Sequence, residues 1–283
     1  MPAAGEPSPN VASAATTPAE RVVRARRVAV ASVVAILVLA VGCATSPLGR
    51  RQLRLISGSE VANMGATAFQ DIKQETPQST DASQQRYVRC IAAAITAQVN
   101  DPEAPKQWEV VVFKDDSPNA FALPGGKIGV NTGILKVAKN QDQLATVIGH
   151  EVAHVLAQHA NERVSQQVLT GALMDVAGRT MDPTLVAALG MGAEVGVLLP
   201  FSRTQETEAD LLGLDLMAGA GFDPRESTKF WQNMAAAGGG GTPEFLSTHP
   251  SDQTRTAALQ KRIAQEMPVY EQVVAAGRRP KCS

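Results

Sequence analysis

Two of the four histidines stand in the run His150-Glu151-Val152-Ala153-His154. On a helix, positions four apart leave the axis about 40° from each other, so both imidazoles emerge from one face. Two neutral imidazole nitrogens at that spacing can share one tetrahedral Zn²⁺, and the intervening Glu151 reaches a water beside the metal. A carboxylate so placed can take that water's proton as general base. The chemistry these residue types point to is metal-assisted hydrolysis with one zinc per chain, which needs a third protein ligand and one open position.

His159 is the nearest candidate for that ligand, but on a continuous helix it sits about 180° around from His150. It also follows His154 by five residues, where the metzincin pattern has six. It is therefore read as a surface or packing histidine. The run Glu206-Thr207-Glu208-Ala209-Asp210 offers more. Glu206 and Asp210 are four apart and share a face, whereas Glu208 points about 160° away and is expected to be dispensable. Ala209 and Gly213 fall on the Glu206 side and are small enough for close approach to a partner helix. This makes Glu206 the third metal ligand and Asp210 the acceptor that fixes an imidazole tautomer.

His249 stands far from the helix motif, after the run Gly238-Gly239-Gly240-Gly241 and just before Pro250. A mobile histidine so placed is expected beside the active site. There it has two uses in catalysis: stabilising the oxyanion of a tetrahedral intermediate, or occupying the open zinc position until substrate displaces it.

The elements that must position these residues read as a mainly helical α+β domain. Ser57-Gly58-Ser59-Glu60 has capping-box spacing and opens a helix over 57–75. A second helix spans 83–99, a strand 108–113, and a hairpin 120–123 and 127–131 turns at Pro124-Gly125-Gly126. One long helix over 141–169 carries the His-Glu pair, and further helices span 204–218 and 253–266. The nearly uncharged stretch 183–200, bounded by prolines, makes only about 24 Å of helix and reads as a buried or lid element. Hydrophobic residues at 44% and charged residues at 19% allow a packed core and exclude a disordered chain. With 26 basic and 27 acidic residues there is no positive field to argue for nucleic acid.

Residues 1–20 are rich in Pro, Ala, Ser and Thr and read as disordered. Arg21, Arg24, Arg26 and Arg27 then precede an apolar run over 28–41, which has the form of a signal peptide. Leu39-Ala40-Val41-Gly42-Cys43 resembles a bacterial lipobox, in which the cysteine is lipidated, although Ala40 stands where Leu is usual. The alternative is an uncleaved signal anchor, but the fourteen residues of this run span about 21 Å against a hydrocarbon core of roughly 30 Å. The expected organisation is an extension and signal peptide over 1–42, a lipid-anchored tether over 43–56 with Arg50, Arg51 and Arg54 solvated, and a catalytic domain over 57–283. Lipidation of Cys43 leaves Cys90 and Cys282 to pair in an oxidising compartment.

His-Glu-x-x-His followed about 50 residues later by Glu-x-Glu-Ala-Asp resembles the gluzincin metallopeptidases of the HtpX, Oma and CAAX-prenyl-protease type, metallopeptidase family forty-eight. The resemblance extends to Asn119-Ala120-Phe121-Ala122-Leu123-Pro124-Gly125-Gly126, to Asn131-Thr132-Gly133, and to Thr248-His249-Pro250-Ser251 with Arg255, and covers about residues 57–266. It implies a zincin-like fold with the small sheet beside the active-site helices. It also implies zinc-dependent cleavage of polypeptides, with Asn119, Ala120, Phe121 and Ala122 presenting a strand edge to an extended substrate. With the lipobox and no helical repeats after the catalytic region, the chain resembles the lipoprotein members of that family more than those carrying a tetratricopeptide domain. The place implied is the cell envelope, on the outer membrane facing the periplasm, with outer-membrane proteins or their assembly machinery as partners. A chaperone or adaptor that rarely cleaves is the competing expectation, and a zinc hydrolase acting on a non-peptide bond is a third.

Overall fold

The computed structural model describes residues 43–180, 201–237, 244–249 and 253–283. The signal-like segment before Cys43, the nearly uncharged stretch 183–200, the run Gly238 to Gly241, and Pro250 with Ser251 lie outside the described residues. Cys43 opens β1 (Cys43–Thr45), which pairs with β2 (Arg51–Leu53); only its backbone is described.

Two well-capped helices follow. Ser57 caps α1 (Gly58–Glu75): its hydroxyl accepts from Glu60 N–H and the Glu60 carboxylate accepts from Ser57 N–H, each at 3.2 Å. Asp81 caps α2 (Ala82–Thr96) by accepting from the amides of Ser83 and Gln84. β3 (Glu109–Phe113) then runs parallel to β5 (Lys127–Asn131), and β4 (Ala120–Leu123) runs antiparallel to β5. The order β3-β5-β4 leaves β4 at an edge. The hairpin turn needs Gly125 and Gly126, whose φ values of +80° and +75° lie in the left-handed region.

After the short α3 (Ile134–Val137) comes α4 (Gln141–Leu156), buried at every position from Asp142 to Val155. Leu144, Val147, Ile148 and Val152 share one core with Leu214 and Met217 of α6 (Arg203–Ala220) and Phe230 of α7 (Glu226–Ala236). Each such side chain contributes about 1.5–3 kcal/mol on burial. α4 and α6 meet backbone to backbone. A Cβ on Gly213 would stand 2.9 Å from His150 N, and one on Gly149 3.0 Å from Gly213 O. A side chain at either position would push apart the two helices that carry the His-Glu pair and Glu206.

The expected continuous helix over 141–169 is broken. Gln158 adopts φ 54°, α4 ends before it, and α5 (His159–Thr180) begins immediately after. One left-handed residue resets the direction of the chain, so helical phase no longer carries from His150 to His159.

The segment over 44–56 is not a solvated tether. Gln52 is buried and donates to Ala157 O, Leu55 N–H donates to Ser165 Oγ at 2.8 Å, and Asn161 Nδ2 donates to Ile56 O at 2.9 Å. Arg50 is likewise paired, with Glu162 and Glu208. The segment is thus laid along α5. α8 (Glu244–Thr248) and α9 (Gln253–Ala275) complete the order. α9 runs past the expected end at 266 and carries Pro268 internally, with Tyr270 and Val273 buried beyond it. Cys90 of α2 and Cys282 are joined in a disulfide that closes 192 residues, worth about 5 kcal/mol by chain-entropy arithmetic. Among the described residues no helix is long and apolar enough to cross a membrane.

Candidate metal centre

α4 presents His150, Glu151 and His154 from its buried length, and the close crossing at Gly149 and Gly213 brings Glu206 of α6 against them. Ser202 and Gln205 form a capping box that fixes where α6 begins, at Arg203, three residues before Glu206. His249 arrives from the end of α8, its N–H donating to Phe245 O at 2.8 Å and its ring stacked 4.3 Å from that of Phe245.

The facing atoms form a tight set. His150 Nε2 and His154 Nε2 are 3.0 Å apart. Glu206 Oε2 is 3.4 Å from His150 Nε2, and Glu206 Oε1 is 3.4 Å from His154 Nε2. His249 Nδ1 lies 3.3 Å from His150 Nε2 and 2.9 Å from Glu206 Oε1. All four side chains offer a ligand atom within 4.8 Å of the others, and all are buried. Ligands about 2.0–2.1 Å from a tetrahedral ion stand about 3.3–3.4 Å from one another, so the set fits a single zinc.

Two further observations support that fit. His150 Nδ1 faces Asp210 Oδ1 at 3.0 Å and His154 Nδ1 faces His159 Nδ1 at 2.8 Å. When both Nδ1 atoms carry protons, two Nε2 lone pairs point at each other, an arrangement that needs a cation between them. Glu151 Oε1, buried beside the cluster, accepts no hydrogen bond among the described residues. Without metal a proton takes up part of that demand. Burial opposes the imidazolium of His150, but hydrogen bonds to Asp210 and Glu206 outweigh it and raise its pKa to about 9. Burial lowers His154 well below the usual histidine range and raises Glu151 above the usual carboxylate range. Burial also opposes the charge on Glu206, but hydrogen bonds from His150, His154 and His249 hold it ionised far below the usual carboxylate range.

The structure thus gathers His150, Glu151, His154, Glu206, Asp210 and His249 in one place. Of the four strand residues expected to meet substrate, Ala122 reaches the cluster: its N–H donates to Glu151 Oε2 at 3.0 Å. Phe121 turns away and packs against Phe69 and Phe113, and Ala120 is buried. A groove lined by Ala62, Pro105, Ala122, Pro124, His154 and Phe201 runs from the hairpin turn to the cluster.

Several residues at the centre escape a reading by spacing. Arg255 grips Asp210 with two nitrogens, Nε at 2.7 Å and Nη2 at 2.9 Å, places Nη1 2.9 Å from Glu206 Oε2, and lies over the Trp231 ring. His159 and Glu208, set aside from the sequence, are both buried and in contact: His159 Nε2 is 3.2 Å from Glu208 Oε2. His159 is therefore neither a surface residue nor a metal ligand, and Glu208 is not a free solvent-facing acid. Burial would raise the Glu208 pKa, but contacts from His159, Ser46 and Arg50 lower it to about 2. The break at Gln158, a feature of the folded backbone, is what a phase count to His159 misses.

Residues 82–263 match the profile of Peptidase family M48. The chain belongs to this family. Its fold is accordingly the mainly helical, zincin-like one, and the buried cluster fits an active-site zinc. Similar proteins include the mitochondrial metalloendopeptidase OMA1 of Schizosaccharomyces pombe, 41% identical over 157 residues, covering 55% of this chain and 46% of the relative. The mitochondrial metalloendopeptidase OMA1 of Bos taurus is 33% identical over 245 residues, covering 79% and 45%. The beta-barrel assembly-enhancing protease of Escherichia coli K12 is 25% identical over 228 residues, covering 77% and 46%. The chain therefore spans less than half the length of each of these M48 relatives.

Proposed function

We propose that the chain is a zinc-dependent endopeptidase of the bacterial cell envelope that cleaves unfolded or misassembled proteins. The observation that carries this reading is Glu151: a buried carboxylate with one oxygen held by the edge strand and the other, which accepts no hydrogen bond among the described residues, beside the His150, His154 and Glu206 side chains. His150, His154 and Glu206 would hold the ion. Bound zinc supplies Lewis acidity, polarising the scissile carbonyl and making water a stronger acid. Glu151 takes the proton of the attacking water on Oε1 and delivers it to the leaving amine nitrogen. Ala122 N–H keeps Oε2 turned away, so one oxygen does the transfer. β4 is the edge strand beside the groove in which an extended substrate would lie. A chaperone or adaptor has no use for a buried, half-paired base.

His249 serves as a gate. With Nδ1 against His150 and Glu206 and Nε2 3.6 Å from Glu151 Oε1, its ring fills the space between ligands and base. Substrate must displace it, so His249→Ala raises basal cleavage at unchanged zinc content. A slower variant with native zinc assigns His249 to oxyanion stabilisation instead.

Lipidation at Cys43 and placement on the outer membrane facing the periplasm are supported by the pattern over 21–43 and by the Cys90–Cys282 disulfide, a bond suited to an oxidising compartment. The substrates proposed are polypeptides, outer-membrane proteins and their assembly machinery among them, in keeping with the name of the Escherichia coli relative. The test is cleavage of an unfolded protein such as casein. Activity is expected to vanish with chelator, return with zinc, and be lost in Glu151→Gln; chelator-resistant cleavage refutes the proposal.

A further inference from the structure

Among the described residues His154 is not backed by a carboxylate or a carbonyl, the usual partners of a metal-ligating imidazole. Its Nδ1 meets another imidazole, His159 Nδ1, at 2.8 Å. Presenting Nε2 to the metal as a lone pair requires the proton of His154 on Nδ1, which makes His159 Nδ1 the acceptor. His159 must then carry its own proton on Nε2, and that nitrogen faces Glu208 Oε2 at 3.2 Å. Glu208 Oε2 also accepts from Arg50 Nε at 2.7 Å, and Ser46 Oγ donates to Oε1. The remaining two nitrogens of Arg50 fork onto Glu162, each at 2.7 Å, and Gln205 Nε2 steadies Glu162 Oε2 at 2.7 Å. Every donor along this line has an acceptor, and the line admits a single arrangement of protons.

We infer that Arg50 is a positioning residue for the metal centre, fixing the tautomer and orientation of His154 through Glu208 and His159. The segment that carries it, 44–56, is thereby coupled to metal affinity although it contributes no ligand. Ser46 and Arg50 sit on the β1–β2 connection and grip Glu208 together. Displacing that connection frees Glu208, then the His159 ring, and leaves His154 free to rotate. The inference rests on the reading of His154 as a ligand and goes beyond it in naming what holds that ligand in place.

The test is zinc affinity of the full chain, measured by competition with a chromophoric chelator, alongside the thermal midpoint of the metal-free protein. His154→Ala should lose zinc; if it does not, the metal-site reading itself fails, an outcome separate from those below. His159→Phe should weaken zinc about 10- to 100-fold, the range for lost outer partners of metal ligands. His159→Asn, whose amide oxygen can accept from His154, should recover part of that loss. Arg50→Ala should weaken zinc about 10-fold. Arg54→Ala, which removes a pair with exposed Glu103 on the same segment, should leave zinc affinity unchanged. Residues acting in series do not add, so Arg50→Ala combined with His159→Phe should bind zinc no more weakly than His159→Phe alone. Should Arg50→Ala not fold, Glu208→Gln cuts the same link with little change of volume and carries the same expectation. Native zinc affinity in Arg50→Ala or in its Glu208→Gln substitute overturns the inference. So do losses that add in the double variant, or a lowered midpoint without weaker zinc.

Discussion

His150 and His154 leave the same face of one helix, yet the supports behind them come from opposite ends of the chain. Behind His150 stands a single carboxylate, Asp210, clamped by two nitrogens of Arg255 from α9. Behind His154 stands a relay of His159, Glu208 and Arg50 that ends in the segment before α1. The side chain of Arg255 is 3% exposed and that of Arg50 is 23% exposed. The first support is short and dry; the second is long and reaches water. A short buried support is set as soon as α6 packs, because the helix that supplies Glu206 also supplies Asp210. A long one is set only when a separate segment has docked. Three acids on one turn and a half of α6 divide the work: Glu206 faces the metal side, Asp210 stands behind one histidine, and Glu208 stands behind the partner of the other.

The variant that touches both sides should have the largest effect. Glu206 lies 3.4 Å from each of the two histidines, so Glu206→Ala should abolish stoichiometric zinc by metal analysis, whatever the state of either support. Glu151→Gln is its counterpart: about one zinc per chain retained and hydrolysis reduced about 10²- to 10⁴-fold. Zinc retained in Glu206→Ala removes the common ligand and with it the basis for comparing the two supports.

Truncating the supports themselves comes next and separates them. Asp210→Ala should weaken zinc about 10- to 100-fold and leave the buried Arg255 guanidinium with Glu206 alone, a loss that approaches the roughly 3–5 kcal/mol of breaking a buried pair. Glu208→Ala should also weaken zinc, but with a smaller loss of stability, because Arg50 keeps Glu162 and is partly solvated. Denaturant melts of the two metal-free variants measure the difference. Equal stability losses erase the distinction between a dry and a wet support.

What the sequence made legible in this centre was local. Spacings of four put His150 with His154 and Glu206 with Asp210, and the small residue at Gly213 indicated a close crossing. The relay was hidden for two physical reasons. One residue, Gln158, takes a left-handed conformation, so the phase that placed His159 half a turn away was counted along a helix that stops short of it. Phase also says where a side chain points and nothing of what stands there: Glu208 does face away from the metal, toward Arg50, which lies 158 residues earlier in the chain. The fold shows the same boundary. The hairpin at Pro124-Gly125-Gly126 is written in its turn, whereas the parallel pairing of β3 with β5 is non-local and left no mark.

The smallest expected effect concerns a contact that serves both supports equally. Glu226 Oε2 accepts from Asn140 Nδ2 at 3.0 Å and from Gln143 Nε2 at 2.9 Å, and so pins the first turn of α4. Burial would raise its pKa, but hydrogen bonds from Lys229, Asn140 and Gln143 outweigh this and lower it to about 2 from an ordinary 4.5. A carboxyl whose folded pKa is depressed contributes stability that is complete above the unfolded value and fades as pH falls through the folded one. Glu226→Gln should therefore destabilise the protein modestly at pH 7, since its charged partner Lys229 is exposed and the pair is screened by solvent. The gap between wild type and variant should narrow below about pH 4.5 and close near pH 2, as read from urea midpoints across that range. Zinc affinity should shift equally little whether the variant is made in the wild-type chain or in Arg50→Ala, because the start of α4 carries His150 and His154 together. A larger shift in one background would tie Glu226 to a single support and break the symmetry on which the comparison rests.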